Sequence, residues 1–258
     1  MPANYTLCPF GNEAIRHLYG SQQRVAQRFR RVYNGGLVAQ DLFFYFQPTG
    51  KNPVRNQYGR YSRMTGKEYF AHACQWLKDN PSEAGEACLY GMLAHYCLMS
   101  CLAPLLAEET ANSQIRRVEL EVELDRYLLA LDGKTPAHQQ DTLAYLKMTR
   151  GECVTVSGFF SPLNQKQYFQ AYKSALRWSR RMSAKKRGWT KFLLKCCRRS
   201  FRDQLMPDCA NHKCLHLDKA MLECYERALE YFPAMARQLM EYREKNIPLG
   251  EEFDIPLM

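Results

Sequence analysis

The most distinctive hydrophobic pattern in the chain is a long uncharged run, from Ala87 to Ala107. It spans 21 residues without an Asp, Glu, Lys or Arg, which is long enough to cross a bilayer. Gly91, His95 and Pro104 interrupt it with polar or helix-breaking character, and acidic residues flank both ends, so no positive-inside signal sets an orientation. A helix that is apolar all round in a globular protein is a core helix. We therefore predict a buried central helix, at about residues 87–107, and no transmembrane span.

Amphipathic segments on both sides of this run predict the helices that cover it. The pattern predicts helices at residues 11–33, with a break near 20–21, and at 65–78, 113–131, 135–150, 164–182, 186–205 and 217–242. Thr65 and Glu68 form a capping-box pattern at the start of the second segment, and Asn34-Gly35-Gly36 predicts the end of the first. Residues 47–64 are predicted as a loop, residues 153–157 as a possible strand, and the tail after 246 as irregular. The predicted fold class is all-α, with a single domain over residues 1–258.

The net charge of +10 is concentrated in one part of the chain. Between Glu152 and Asp203 there are thirteen Lys and Arg residues and no acidic residue, so the remainder carries 10 − 13 = −3. A local excess of this kind indicates a binding surface for anions more than a general solubility effect.

The eleven cysteines and the first residues bear on the compartment. An odd number of cysteines argues against a complete disulfide framework, and the sequence from Met1 lacks the basic and apolar regions of a signal peptide. We therefore expect free thiols in a reducing, cytoplasmic compartment.

The basic helical segment, residues 164–205, is the candidate anion-binding surface. Trp178, Trp189 and Phe192 interleave with its cations, as in surfaces that bind anionic lipid or nucleic acid. A solvated helix face is the third interpretation, and no recognised nucleic-acid motif accompanies the charge. The candidate contact residues are Arg177, Arg180, Arg181, Lys185, Lys186, Arg187, Lys191, Lys195, Arg198 and Arg199.

Candidate chemical residues occur in four other places. Asp41 lies inside an apolar segment and is either paired or a ligand, and His95 is the one ionisable side chain of the central run. Arg117, Glu121 and Asp125 recur every four residues, which fits either a solvated salt-bridge row or a site. A compact run of possible zinc ligands has no usual zinc-finger spacing and fits an ordinary loop equally: Cys209, His212, Cys214 and His216. The chain has no P-loop, nucleophile-elbow or dinucleotide-binding motif.

Taken together, these residues resemble the bacterial zinc-dependent phospholipase C family, in its short cytosolic branch. The most specific piece is the run Glu121–Leu129, and the similarity is concentrated in residues 1–131. The other stretches that carry it are residues 1–6 with Phe10-Gly11, residues 36–45, the helix that begins near Thr65, and residues 91–96 with Leu98 and Ser100.

The resemblance implies an all-α scaffold in which zinc ions bind phosphate and activate a water molecule against a phosphodiester. It makes Asp41, His95 and Glu121 the retained metal ligands and predicts that they lie close together. Four other ligand positions carry side chains without a metal-binding oxygen or nitrogen: Leu7, Val38, Met99 and Ala103. A fifth carries Arg117, whose charge would repel zinc, and residues 62–65 contain no His. We therefore expect no bound cofactor, zinc being the candidate if the residual site is occupied, and an ion pair between Arg117 and Glu121.

Three functions follow from these expectations. The first is a non-catalytic phospholipase C-like domain, a pseudoenzyme, that binds an anionic lipid surface or a phosphate-bearing ligand. The second is a hydrolase with one residual metal at Asp41, His95 and Glu121. The third is a nucleic-acid-binding protein that uses the basic segment.

Overall fold

The structure is a computed structural model that describes residues 4–49, 54–113, 115–160 and 164–256. These residues form helices and no β-strand; a single antiparallel bridge joins Thr65 and Pro256. The predicted all-α class is confirmed. The α-helices are α1 Leu7–Arg16, α2 Gly20–Arg28, α3 Arg30–Leu37, α4 Arg55–Ser62, α5 Gly66–Asp79, α6 Glu83–Asn112, α7 Arg117–Leu131, α8 Arg150–Gly158, α9 Gln165–Met182, α10 Gly188–Lys195, α11 Arg199–Arg202 and α12 Asp218–Lys245. Some residues named in the sequence-based predictions lie outside the described residues: Met1, Pro2, Ala3, Gly50, Pro53 and Gln114.

The central helix is α6, and it is longer than the apolar run that predicted it. The Ser82 side chain caps it by accepting a hydrogen bond from the Gly85 N–H at 3.1 Å. Helices α1, α2, α3, α5, α7, α8 and α12 all contact it. Within the described residues α6 alone is long and apolar enough to cross a membrane, but 78% of its most apolar window is buried inside the protein. It is the buried core helix that the pattern predicts.

Helices α3 and α6 cross at two glycines. A Cβ on Gly36 would lie 2.3 Å from the Cys88 carbonyl oxygen, and a Cβ on Gly91 would lie 2.1 Å from the Tyr33 carbonyl oxygen. The predicted helix end at residues 34–36 is therefore wrong: α3 continues through these glycines to Leu37, because their missing side chains allow direct backbone contact. This contact brings the end of α3 against the middle of α6.

Helix termini with local capping signals agree well with the sequence. The Thr65 N–H donates to Glu68 Oε2 at 2.9 Å and the Glu68 N–H to Thr65 Oγ1 at 3.3 Å, which confirms the predicted capping box of α5. The predicted break near residues 20–21 is also confirmed, with Gly20 at φ +51°. A second break, at Phe29, separates α2 from α3.

Other predicted elements are wrong. The segment 47–64 is not loop throughout, because it contains α4. Of the helix at 135–150, only Ala137–Gln139 forms a short 3-10 turn; the Asp141 side chain accepts from the Leu143 N–H at 3.2 Å, a local bond that competes with a helix. The possible strand at 153–157 belongs to α8, which a Thr149–Glu152 capping box begins.

The predicted helix at 186–205 is divided into α10 and α11. The backbone is extended at Arg198, and the turn lets Phe201 bury its ring against Phe44, with 5.7 Å between ring centroids. The free energy gained by burying the Phe201 ring at this point outweighs the gain from continuing one straight helix. As a result α10 lies as a separate short helix beside α9.

Candidate functional site

The predicted ligand residues Asp41 and His95 meet in the core. Asp41 begins a 3-10 helix, Asp41–Tyr45, which follows α3, and His95 lies in the middle of α6. The distance from Asp41 Oδ2 to His95 Nδ1 is 3.6 Å, and both side chains are almost fully buried. The glycine crossing of α3 and α6 sets this approach, since it fixes the end of α3 against α6.

Hydrogen bonds define the protonation of His95. Its Nδ1 lies 2.7 Å from the Leu37 carbonyl oxygen, which can only accept, so Nδ1 carries the proton. Its Nε2 lies 3.4 Å from the Gln40 amide nitrogen, which can only donate, so Nε2 is the acceptor. His95 is therefore the neutral Nδ1–H tautomer. Sequence reasoning missed the role of Gln40.

Burial lowers the pKa of His95 to about 4 from its usual 6.5, while the bond to Leu37 opposes that shift. Between these two pH values the unfolded chain binds a proton that the native chain does not. The contribution of His95 to stability is therefore fully present above pH 6.5 and is lost as the pH falls through about 4.

Glu121 and Arg117, on α7, lie close enough to Asp41 for their charges to act on its pKa. Arg117 Nε donates to Glu121 Oε1 at 2.9 Å, the ion pair predicted from their spacing, and the Glu121 side chain is buried. Burial raises the pKa of Asp41 well above its usual value, and the Glu121 charge raises it further while Arg117 opposes it. Arg117 therefore offsets the charge of the buried Glu121 carboxylate within the protein itself.

Asp125, one turn beyond Glu121, ties the N-terminal segment to α7. Its carboxylate accepts from the Tyr5 N–H at 3.0 Å and from the Thr6 N–H and hydroxyl at 2.8 Å each. Burial raises the pKa of Asp125 to about 7 against these three bonds, which favour the ionised form. Because Glu121 and Asp125 are both buried, a solvated salt-bridge row is the wrong interpretation of this spacing.

The contacts of these residues do not fit the zinc chemistry that the resemblance implies. Zinc would bind the lone pair on Nε2 of His95, yet this nitrogen faces the Gln40 amide, and Asp41 approaches the ring on its Nδ1 side instead. The Arg117 guanidinium holds Glu121, where it would repel a cation. Among the residues that the structure describes, no group of three or more His, Cys, Asp or Glu side chains is placed to hold a metal ion. The metal-ligand role of Asp41, His95 and Glu121 stays a prediction.

Among the described residues, neither the substituted ligand positions nor the Cys/His run at 209–216 supplies a group of side chains placed to hold a metal ion. Leu7, Val38 and Met99 are buried within the apolar core, and Ala103 is partly buried. In the run at 209–216, Cys214 is buried, whereas its other possible ligands are exposed: Cys209, His212 and His216.

The basic segment presents a cationic face to solvent. Nine of the ten candidate residues are exposed: Arg177, Arg180, Arg181, Lys185, Lys186, Lys191, Lys195, Arg198 and Arg199. The prediction is wrong for Arg187, which is buried, donates to the Met206 carbonyl oxygen at 2.7 Å and pairs with Asp208. Arg180 reaches Asp141 at 3.7 Å and is partly neutralised at the edge of the face. We call the nine exposed residues the cationic face.

Two aromatic rings project from this face. Trp189 and Phe192, on α10, are 69% and 56% exposed, and their rings stack with centroids 5.4 Å apart. Lys191 and Lys195 are exposed on the same helix, whereas Leu194 is buried beneath it. The result is a compact apolar knob, formed by Trp189 and Phe192, on the same short helix as the exposed Lys191 and Lys195.

No family model, curated protein or solved structure matches the chain.

Proposed function

We propose that the chain is a non-catalytic, phospholipase C-like helical domain that binds anionic lipid surfaces through its cationic face. The observation that carries the proposal is the exposed Trp189–Phe192 knob, which lies among nine exposed cations on a segment without acidic residues. Exposed aromatic rings insert at headgroup depth, while Lys and Arg attract anionic lipid. The eleven free cysteines favour a cytoplasmic location for this binding.

The geometry favours lipid over nucleic acid. Proteins that bind single strands use successive rings along a cationic groove, with one base on each ring. Trp189 and Phe192 instead stack on one another, so each ring covers one face of its partner. One compact knob suits shallow insertion between lipid headgroups.

The expected affinity is moderate. Each cation close to an anionic membrane contributes about 1 kcal/mol, and the nine cannot all face one plane. Transfer of a large side chain from water contributes about 1.5–3 kcal/mol when burial is complete, and less for rings that insert only partly. We therefore expect micromolar binding that weakens steeply as salt is added.

Vesicle sedimentation tests the proposal. Wild-type protein should sediment with phosphatidylserine-containing vesicles at low salt and remain in solution with phosphatidylcholine alone. Trp189→Ala/Phe192→Ala and Lys191→Gln/Lys195→Gln should each weaken binding by about tenfold. Equal sedimentation with both kinds of vesicle would refute the proposal. Tighter binding to a single-stranded oligonucleotide than to vesicles would also refute it and would favour the nucleic-acid alternative.

Matched variants control for general effects of charge and surface. Tyr231 is also a half-exposed ring, on α12, and Tyr231→Ala should leave vesicle binding unchanged. Arg24→Gln/Arg31→Gln removes two exposed cations far from the basic segment in sequence and should change binding by less than about twofold. If Arg24→Gln/Arg31→Gln weakened vesicle binding as much as Lys191→Gln/Lys195→Gln, net charge alone would drive the interaction.

The non-catalytic part is tested by metal content and turnover. Arg117 beside Glu121 and the Gln40 amide beside Nε2 of His95 support a cluster that needs no zinc. Protein purified without chelator should hold no stoichiometric zinc and should not hydrolyse a phosphodiester. One tightly bound zinc per chain, lost in His95→Ala, would favour the residual-hydrolase alternative.

A further inference from the structure

A groove lies on the cationic side of the molecule between α9, α10 and the segment 46–49. Its volume is about 590 Å³, within the range of small-molecule sites. Phe46, Trp178 and Leu193 form apolar walls, while Gln47 and Thr49 form an exposed polar rim. Gln47 adopts a left-handed backbone conformation, φ +45°, which is uncommon for a residue other than glycine and turns the chain at this rim.

Three cations line the groove from one face of α9. Lys173, Arg177 and Arg181 are spaced four residues apart, which places them on successive turns, and all three are exposed. The described lining contains no Asp or Glu, and none of the three cations has an ion-pair partner among the described residues. Like charges in such a row repel one another, and a bound anion relieves that repulsion.

An aromatic wall lies directly beside these cations. The Arg181 guanidinium carbon lies 5.4 Å from the centroid of the Trp178 ring, which orients the guanidinium along the wall. Trp178 is itself held in place, with its ring edge against Phe201 at 5.2 Å between centroids. A ligand in this groove therefore meets fixed apolar surface and cationic donors together.

We infer that the groove binds a phosphomonoester attached to an apolar or aromatic group. Arg177 and Arg181 are placed to hold the phosphate oxygens, since guanidinium groups pair with phosphate through two parallel hydrogen bonds. The apolar part lies against Phe46 and Trp178. The inference rests on the proposed function, because it gives the cationic face one specific headgroup site. The same chemistry occurs in a lipid phosphate headgroup and in a soluble organic phosphate.

Calorimetric titration of the full chain tests the groove. The probes are phenyl phosphate, inorganic phosphate and a short-chain, water-soluble phosphatidic acid. We expect phenyl phosphate to bind more tightly than inorganic phosphate, and Arg177→Gln/Arg181→Gln to weaken its binding by about tenfold or more. Arg198→Gln/Arg199→Gln, which removes two exposed arginines outside the groove lining, should change it by less than about twofold. Thermal melting of each variant checks that it is folded.

The outcomes separate the groove from the cationic face. Equal losses in the two double-arginine variants, or no preference for phenyl phosphate over inorganic phosphate, would overturn the inference. A tighter fit for phosphatidic acid than for phenyl phosphate identifies lipid as the source, and equal affinity identifies soluble phosphates. If phenyl phosphate binds but anionic vesicles do not, the proposed function fails and the groove site stands. If phenyl phosphate does not bind, and vesicle binding survives Arg177→Gln/Arg181→Gln, the groove site fails and the proposed function stands.

Discussion

Replacement of Gly91 by alanine tests the helix crossing on which the buried cluster depends. The added Cβ would lie 2.1 Å from the Tyr33 carbonyl oxygen and 3.1 Å from the Gly36 Cα. Both are backbone atoms, so rotation of a side chain cannot relieve the overlap. Because real Cβ contacts almost never fall below 3.0 Å, α3 and α6 must separate by about 1 Å, which forfeits part of the dispersion energy along the crossing.

Two opposing effects set the size of the change. Alanine favours a helix over glycine by about 1 kcal/mol. Overpacking of a core costs about 1–3 kcal/mol and occasionally more, and a backbone-to-backbone overlap belongs at the upper end of that range. The free energy of unfolding should therefore fall by about 2 kcal/mol, which lowers the melting temperature by roughly 4–8 °C for a chain of this length.

Guanidinium denaturation followed by circular dichroism measures this change, with Gly59→Ala as the matched control. Gly59 lies inside α4, and a Cβ there meets no atom within 4 Å. The control should gain about 0.5–1 kcal/mol from reduced freedom of the unfolded chain. If Gly91→Ala is as stable as the wild type, the direct backbone contact between α3 and α6 is refuted.

Two further predictions concern the buried histidine and a helix cap. As the pH rises from 4 to 6.5, the free energy of unfolding of the wild type should increase by about 3 kcal/mol more than that of His95→Gln, since only the unfolded wild type is protonated at residue 95 in that window. Urea midpoints that change in parallel for the two proteins across this range would contradict the low pKa of His95. Thr65→Ala should lose about 1 kcal/mol of stability, because the Glu68 N–H loses its acceptor. Thr65→Ser keeps the hydroxyl and should retain the stability, and an equal loss in both would exclude the capping bond as the cause.

Features encoded by neighbouring residues could be predicted from the sequence. The α5 cap depends on residues three apart, Thr65 and Glu68, and the pattern gave the correct helix start. The same pattern at Thr149 and Glu152 begins α8, so the signal that excludes a strand at 153–157 was present in the sequence. The uncharged run of α6 likewise predicted its own burial, because a segment without charge is stable only when other elements cover it.

Features that depend on distant partners could not be predicted in this way. Asn34-Gly35-Gly36 is a typical helix end in isolation, and only contact with α6 reverses that tendency. Arg187 belongs to a cationic run, yet the Met206 carbonyl and Asp208 hold it in the interior. The approach of Asp41 to His95 was expected only from the family resemblance, since nothing in their local sequences links them.

One short segment joins the buried cluster to the groove. The 3-10 helix Asp41–Tyr45 begins with the buried acid, and its next residues, Phe46 to Thr49, form one wall of the groove. The segment is fixed at its start by the Asp41 N–H, which donates to the Val38 carbonyl at 3.0 Å, and near its end by the stacking of Phe44 on Phe201. The backbone hydrogen bond and the ring contact therefore hold this wall of the groove in position. The proposed non-catalytic core and the proposed anion site at the surface are compatible, because the first asks only for rigidity from the residues that the second needs in place.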